Sequence, residues 1–402
     1  MSSFPKIKLK PGKEAAVRRN HPWIFSGAVD RTEGSPVEGD IVEVVSSKNE
    51  FLALGHFAKG SICIKLFEFA KSSLPGNYWK TRIVQAYELR KKLMLTDNPT
   101  TNAYRLVFTE GDGLPGLMID YYNGVAVIQT HTLGMYKLIP QFVEALQEIY
   151  GDELKAVYNK SSETMKLQGS PETNGKIPTY SDHYLFGSSQ TGLIREIGHE
   201  FKVDWERGQK TGFFLDQRTN RMFAQYYGKD KKVLNAFCYS GAFSVYALKG
   251  GAAMVHSIDS SRQAIEWTEE NIRLNGFGSD KHTSFVADAK RWLAETDEKY
   301  DLVILDPPAF AKTHAVTNNA LHAYIHINTQ AMKRLNPGGL LFSFSCSQAI
   351  GREVFQSAIM SAALEAGRRV RILHRLSQGA DHPVSIFHPE GEYLKGLILE
   401  VN

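Results

Sequence analysis

The stretch "KKVLNAFCYSGAFSVYALKGG", residues 231–251, holds three signals in one run. "KKVLNAF" is an apolar segment of strand length, "CYSG" is turn-forming, and "GAFSVYALKGG" reads as a buried helix stopped by a glycine pair. A strand that passes through a glycine turn into a helix is the unit from which doubly wound α/β sheets are built. The alternation continues downstream. "MVHSIDSS" reads as the next strand and "RQAIEWTEENIRLNG" as the next helix, and "HTSFVADA", "YDLVILDPP" and "GGLLFSFSCS" extend the pattern. Such near-continuous apolar strands predict a parallel sheet covered by helices on both faces.

Upstream the pattern changes. From Ile7 to about Phe69, short strands ("IKLK", "DIVEVVS", "FLALGHF", "SICIKLFEF") alternate with turns at Gly34, Gly39, Asn49 and Gly60, which predicts a small antiparallel barrel. "KSSLPGN", residues 71–77, has linker composition. "YWKTRIVQAYELRKKLML" then predicts a helix with Trp79, Ile83, Tyr87 and Met94 on its apolar side and Arg82, Arg90, Lys91 and Lys92 facing elsewhere. "YRLVFTEGDGLPGLMIDYYNGVAVIQTHT" reads as an antiparallel meander, a helix follows around 135–150, and the polar stretch 160–191 is left unassigned. The expected domains are 1–72, 73–200 and 201–402.

With 402 residues, 43% hydrophobic and 22% charged, the chain is of globular composition and long enough for two or three domains. No apolar run reaches the roughly 20 residues of a membrane span, and no apolar segment follows the first lysines, so a cytoplasmic protein is expected. Cys63, Cys238 and Cys346 are odd in number and far apart, which argues against disulfides and zinc clusters. The net charge of +4 is modest, but Lys6, Lys8, Lys10, Lys13, Arg18 and Arg19 face Glu14 alone in the first twenty residues. Trp23 and Phe25 follow. Cations beside aromatics suit phosphate contact with base stacking, or equally a solvated basic edge over two core rings.

In doubly wound sheets ligands bind beyond the carboxyl ends of the strands, where strand order reverses. "NAFCYSGAF" lacks G-x-G-x-x-G and is a poor pyrophosphate cradle, whereas Asp259, Asp288 and Asp306 mark three successive strand ends. Three carboxylates repel phosphates and suit a ligand offering hydroxyls, an exocyclic amine and positive charge, such as S-adenosylmethionine (SAM). Helix N-capping is the competing explanation for each Asp. In "DPPAF", residues 306–310, two prolines force a rigid extended exit from the strand, leaving Asp306 at the sheet's edge and Phe310 able to offer a ring to a base. Many methyltransferases acting on nucleic-acid bases have a similar [DN]PP[YF] segment there. Cys346 closes the next strand, and a packed core thiol is the ordinary reading of a Cys in an apolar strand. Beside "DPPAF", however, a thiolate could add to C6 of cytosine and make C5 nucleophilic, with Asp306 orienting the N3/N4 edge.

Taken together, "KTGFFLDQRTNR", "VLNAFCYSGAFS", "DLVILDPPAF", "FSFSCS" and "GADHPVSIFHPEGEYLKGL" resemble the ribosomal RNA large subunit methyltransferase I family over essentially the whole chain. The resemblance implies an N-terminal PUA RNA-binding barrel, a central α+β domain with a β-hairpin, and a C-terminal Rossmann-like class I methyltransferase domain that uses SAM to form 5-methylcytosine in 23S rRNA. By the same resemblance, Phe214, Gln217 and Arg218 close over the cofactor. Asn235, Phe237, Ser240 and Gly241 cradle its methionine and ribose, Asp259 binds the ribose, Asp288 the adenine, Ala236, Ser260 and Ala289 also contact the cofactor, Asp306 borders the methyl-transfer site, and Cys346 is the nucleophile. Lys8, Lys10, Arg19 and Phe310 are the expected RNA contacts.

One position departs from a wider pattern. Many RNA cytosine-5 methyltransferases have a second cysteine after the motif's proline to release the product, and here that position is Pro308. Two rivals stand beside the cytosine reading: a guanine methyltransferase on the same scaffold, and a non-catalytic RNA-binding assembly factor. The oligomeric state is left open, a homodimer included.

Overall fold

Seven strands build the sheet of the C-terminal part in the computed structural model, which describes residues 4–70, 74–167, 180–189, 192–310 and 317–402. Positions 71–73 of the predicted linker, and 168–179 and 190–191 of the stretch 160–191, lie outside the described residues. Two compact units make up the chain: Met1–Ile194, Val203–Phe213 and Ala380–Gly391 form the first, and Arg195–Lys202, Phe214–Gly379 and Glu392–Asn402 the second.

In the second unit, helix α1 (Arg218–Tyr227) precedes strand β1 (Lys232–Ala236), and the chain continues through α2 (Ala242–Lys249), β2 (Met254–Asp259), α3 (Arg262–Leu274), β3 (His282–Val286) and α4 (Ala289–Glu295). It goes on to β4 (Tyr300–Leu305), α5 (Thr317–Arg334), β5 (Leu335–Ser345), α6 (Arg352–Ala366), β6 (Val370–Leu376) and β7 (Lys395–Val401). The spatial order is β3-β2-β1-β4-β5-β7-β6. The first five are parallel to one another, and β7 inserts antiparallel between β5 and β6. Strand order reverses between β1 and β4, whose ends are level: Ala236 pairs with Leu305. Leu234, Val303, Leu305 and Leu341 from the sheet pack with Tyr324, Ile327, Phe355 and Ile359 from α5 and α6. At about 1.5–3 kcal/mol per large apolar side chain, this burial is what commits the alternating segments to one sheet.

The first unit has two sheets of its own. Trp23–Phe25, Ile62–Glu68, Phe51–Phe57, Ile41–Val45, Lys6–Leu9 and Val29–Glu33 line up in that order. One pair departs from the antiparallel expectation: Lys6–Leu9 runs parallel to Ile41–Val45. The predicted meander is Ala103–Phe108, Leu117–Tyr122 and Val125–Thr130, and it turns at Asn123-Gly124, where φ is 48° and 97°. Both residues need φ > 0 in the tight turn that matches strand twist, which is why Asn-Gly stands there. Leu133–Lys137 and Ile139–Tyr150 form the next helical stretch as two segments.

Arg90 overturns its expected place on the outer side of helix Tyr78–Lys92. It is fully buried, with Nη1 and Nη2 on the Asp112 carboxylate at 2.5 and 2.8 Å, and further donations to the carbonyls of Arg105 and Asp381. A buried guanidinium is tolerated only with such paired, bidentate partners. Met94, counted with the apolar side, lies beyond the helix end and is exposed.

Candidate active site at the strand carboxyl ends

The turn after β1 is built to bring backbone close to a ligand. Phe237, Tyr239 and Gly241 have φ of 62°, 49° and 74°, a left-handed alternation that L side chains adopt at a cost of order 1–3 kcal/mol each. A Cβ at Gly241 would stand 2.6 Å from Thr268 Cγ2, so only glycine fits. The turn is tied to α3: Thr268 donates to the Tyr239 carbonyl at 2.8 Å and Asn271 to the Ser240 carbonyl at 2.9 Å. Beneath it, Asn235 Nδ2 donates to Ser244 Oγ at 2.9 Å, while its buried Oδ1 accepts from no described residue. An unmet buried acceptor costs about 1–3 kcal/mol, and a ligand donor at the turn would meet it.

The strand-end carboxylates have different partners. Asp259 accepts from the N–H groups of Tyr239 and Ser261 at 3.0 and 2.9 Å, which bridges the tips of β1 and β2. It does not cap α3, since Ser261 does so through Ala264 N. A carboxylate has about four lone-pair sites, so two remain for hydroxyl donors. Ser260 beside it is exposed. Asp288 does cap a helix, accepting from Arg291 N at 2.8 Å at the head of α4, and Ala289 is buried behind it. Asp306 Oδ2 accepts from Gln217 Nε2 at 3.0 Å. Phe214 stands edge-on to Tyr239 with ring centroids 5.0 Å apart. Arg218 turns to the buried Glu196, 3.4 Å from its Nε, a carboxylate that also grips Arg221 in a bidentate pair.

Cys346 stands one residue beyond β5, partly exposed. Leu305 pairs with Ser343, so Asp306 is level with Phe344 and Cys346 lies two residues further along the neighbouring strand. The buried Tyr324 of α5, its phenol pushed up to about 12 by burial, carries electrostatic interactions with both Cys346 and Asp306. Phe310 packs on Tyr324, centroids 4.7 Å apart, under the Lys290 ammonium. The other cysteines are buried and their thiols pushed up by desolvation: Cys238 contacts Thr268, and Cys63 donates to the Ile24 carbonyl at 3.4 Å.

Lys395 is the residue that sequence reasoning missed here. It opens β7, pairs in register with Ser345, is buried, and donates from Nζ to the Ser347 carbonyl at 2.6 Å. Burial pulls its pKa down to about 8, opposed by attraction to Cys346 and, more weakly, Glu392, with Arg352 adding to the depression. A lone cation opening the apolar run "LKGLILEV" was the available signal.

The basic N-terminal residues belong to the first unit. Lys10 and Arg19 are exposed and Lys8 half-buried on the strand Lys6–Leu9. Trp23 is held in place, its Nε1 donating to Glu110 at 2.7 Å and its ring 4.3 Å from that of His388, while Phe25 stays exposed. His382 is buried beside Phe108 and bonded to Asp381, whose other oxygen accepts from Arg105 N.

A profile described as S-adenosylmethionine-dependent methyltransferase matches residues 178–386, and a PUA-like profile matches residues 7–69. A curated relative from Alteromonas mediterranea, named ribosomal RNA large subunit methyltransferase I, is 38% identical over 98% of both chains. The chain belongs to the ribosomal RNA large subunit methyltransferase I family. Its members use SAM, so this chain is a SAM-dependent methyltransferase. Two solved structures share the fold at TM-score 0.83 and 22% identity, covering 98% of this chain and 99% of theirs. One is a candidate SAM-dependent methyltransferase from Streptococcus mutans, the other a candidate methyltransferase complexed with SAH. No helix among the described residues is long and apolar enough to cross a membrane.

Proposed function

We propose that the enzyme methylates C5 of a cytosine in 23S rRNA, in the cytoplasm, through a covalent adduct between Cys346 and C6. The single observation that supports this most is the position of Cys346: partly exposed at the tip of β5, beside β4 and its Asp306, with an electrostatic link through Tyr324. A guanine-modifying enzyme has no use for a thiol there.

In this reading residues 201–402 perform the transfer, and residues 1–72 and 73–200 hold RNA. The turn residues Asn235, Ala236, Phe237, Ser240 and Gly241 take SAM with Phe214 and Gln217, and Arg218 supports them through Glu196. Asp259 and Ser260 accept from its ribose, and Asp288 and Ala289 border its adenine. SAM supplies an electrophilic methyl group. Asp306, held by Gln217, receives the amino edge of the cytosine. The thiolate of Cys346 adds to C6, and the electron pair displaced to C5 attacks the methyl carbon. Loss of the C5 proton and expulsion of sulfur restore the ring. Lys8, Lys10 and Arg19 contact phosphates, and Phe310 lines the base side.

The test is Cys346→Ala in the complete enzyme, with tritium from labelled SAM counted in unmodified 23S rRNA. Loss of at least about 10³-fold in turnover with SAM affinity retained is expected, a scale set by removal of a covalent nucleophile. Normal turnover by the variant refutes the adduct.

A further inference from the structure

We propose that Lys395 is both the charge partner of the Cys346 thiolate and the base that removes the C5 proton, the task for which Pro308 leaves no second cysteine. The assignment rests on the cysteine-adduct reading above. Lys395 is fixed by three independent features: its register opposite Ser345, its burial, and the 2.6 Å bond from Nζ to the Ser347 carbonyl, which bracket Cys346 from both chain neighbours. Only one of the three ammonium protons is used in that bond.

The charge bookkeeping explains why a lysine suits both roles. In the resting enzyme the attraction between Lys395 and the Cys346 thiolate is mutual, so the ammonium favours the thiolate as the thiolate favours the ammonium. Around this pair stand Arg352 at the head of α6, Glu392 before β7 and the neutral Tyr324 phenol of α5. When sulfur bonds to C6, its negative charge moves into the cytosine ring and away from sulfur. The largest influence holding the Lys395 proton against burial is then gone, and the ammonium releases that proton to solvent. Once C5 carries the methyl group, the neutral amine takes the C5 proton, the C5–H pair forms the C5–C6 double bond, and the C6–S bond breaks with its pair on sulfur. Ammonium and thiolate are restored, and the net proton released is the one methylation at carbon requires.

The decisive comparison uses the complete enzyme, labelled SAM and unmodified 23S rRNA, with Lys395→Arg and Lys395→Met beside Cys346→Ala. A guanidinium keeps the positive charge but does not give up a proton. Lys395→Arg is therefore expected to bind SAM normally, to turn over about 10²-fold more slowly, and to accumulate a methylated protein–RNA adduct that survives SDS. Lys395→Met is expected to form no adduct. Wild-type turnover by Lys395→Arg, or slow turnover without a trapped species, overturns the assignment. Should either variant lose SAM binding through misfolding, single-turnover release of the wild-type adduct decides: its rate is expected to rise with pH to a plateau below about pH 8, and a flat profile overturns the role. An active Cys346→Ala enzyme defeats the adduct reading itself. An inactive Cys346→Ala with an unimpaired Lys395→Arg defeats only the lysine.

Discussion

Gln217 donates from Nε2 to Oδ2 of Asp306 at 3.0 Å, and Asn220 donates to Oε1 of Gln217 at 2.6 Å. The second bond orients the Gln217 amide so that its NH₂ must face the carboxylate. Replacing Gln217 by Glu would set two carboxylates at that separation, a like-charge contact that raises one of their pKa values and disturbs Asp306. Losing the bond alone is worth about 1–1.5 kcal/mol, so kcat/KM for RNA is expected to fall about tenfold in Gln217→Ala and further in Gln217→Glu. Steady-state methylation assays at fixed SAM check both; equal rates in the two variants would contradict the orienting role.

Gly241→Ala places a Cβ at 2.6 Å from Thr268 Cγ2 at a φ of 74°. The expected result is a stability loss of about 1–3 kcal/mol together with weakened SAM binding, read by urea denaturation and calorimetry. Asp259→Ala separates the two effects, because its carboxylate pins Tyr239 and Ser261 while leaving lone pairs for the ligand. SAM affinity should fall by more than the roughly tenfold expected from one lost hydrogen bond. An unchanged affinity would remove Asp259 from the cofactor site.

The parallel sheet was legible because apolar strands such as β4 and β5 alternate with helical segments, and the turn after β1 because Gly241 is followed by acids at three successive strand ends, Asp259, Asp288 and Asp306. Side-chain roles were less legible where one residue type serves two purposes. Asp288 reads alike as ligand acceptor and helix cap, and it is a cap here. Arg218 and Arg90 read as solvent-facing or ligand-facing cations, yet their partners Glu196 and Asp112 come from distant parts of the chain. Lys395 was hidden for the same reason: nothing local shows that the first residue of β7 meets the last of β5.

Replacing Lys8, Lys10 and Arg19 with alanine should weaken RNA binding at every sequence and leave SAM affinity unchanged. Three lost phosphate contacts reduce the slope of log K against log salt by about 2 for single-stranded RNA. A titration series between low and moderate salt measures the slope; an unaltered slope would show that these cations do not touch the RNA.

Acid should destabilise the first unit through two imidazoles, the buried His56 and the half-buried His131. Burial lowers His56 to about 3 and His131 to about 4, well under the ordinary 6.5. Between those values and 6.5 the unfolded chain binds protons that the folded chain does not, so stability falls as pH falls, by about 1.4 kcal/mol per pH unit for each group. Urea midpoints from pH 7 to 5 should decline accordingly, and His131→Gln should flatten the decline by one proton.

The central claim, a bond between Cys346 and cytosine C6, is tested most directly with RNA carrying 5-fluorocytosine. Fluorine at C5 cannot leave as a proton does, so the methylated adduct has no exit. With SAM present, peptide mass mapping of the digested complex should find the modified nucleotide on Cys346. No covalent complex, or one attached at another residue, would contradict the account.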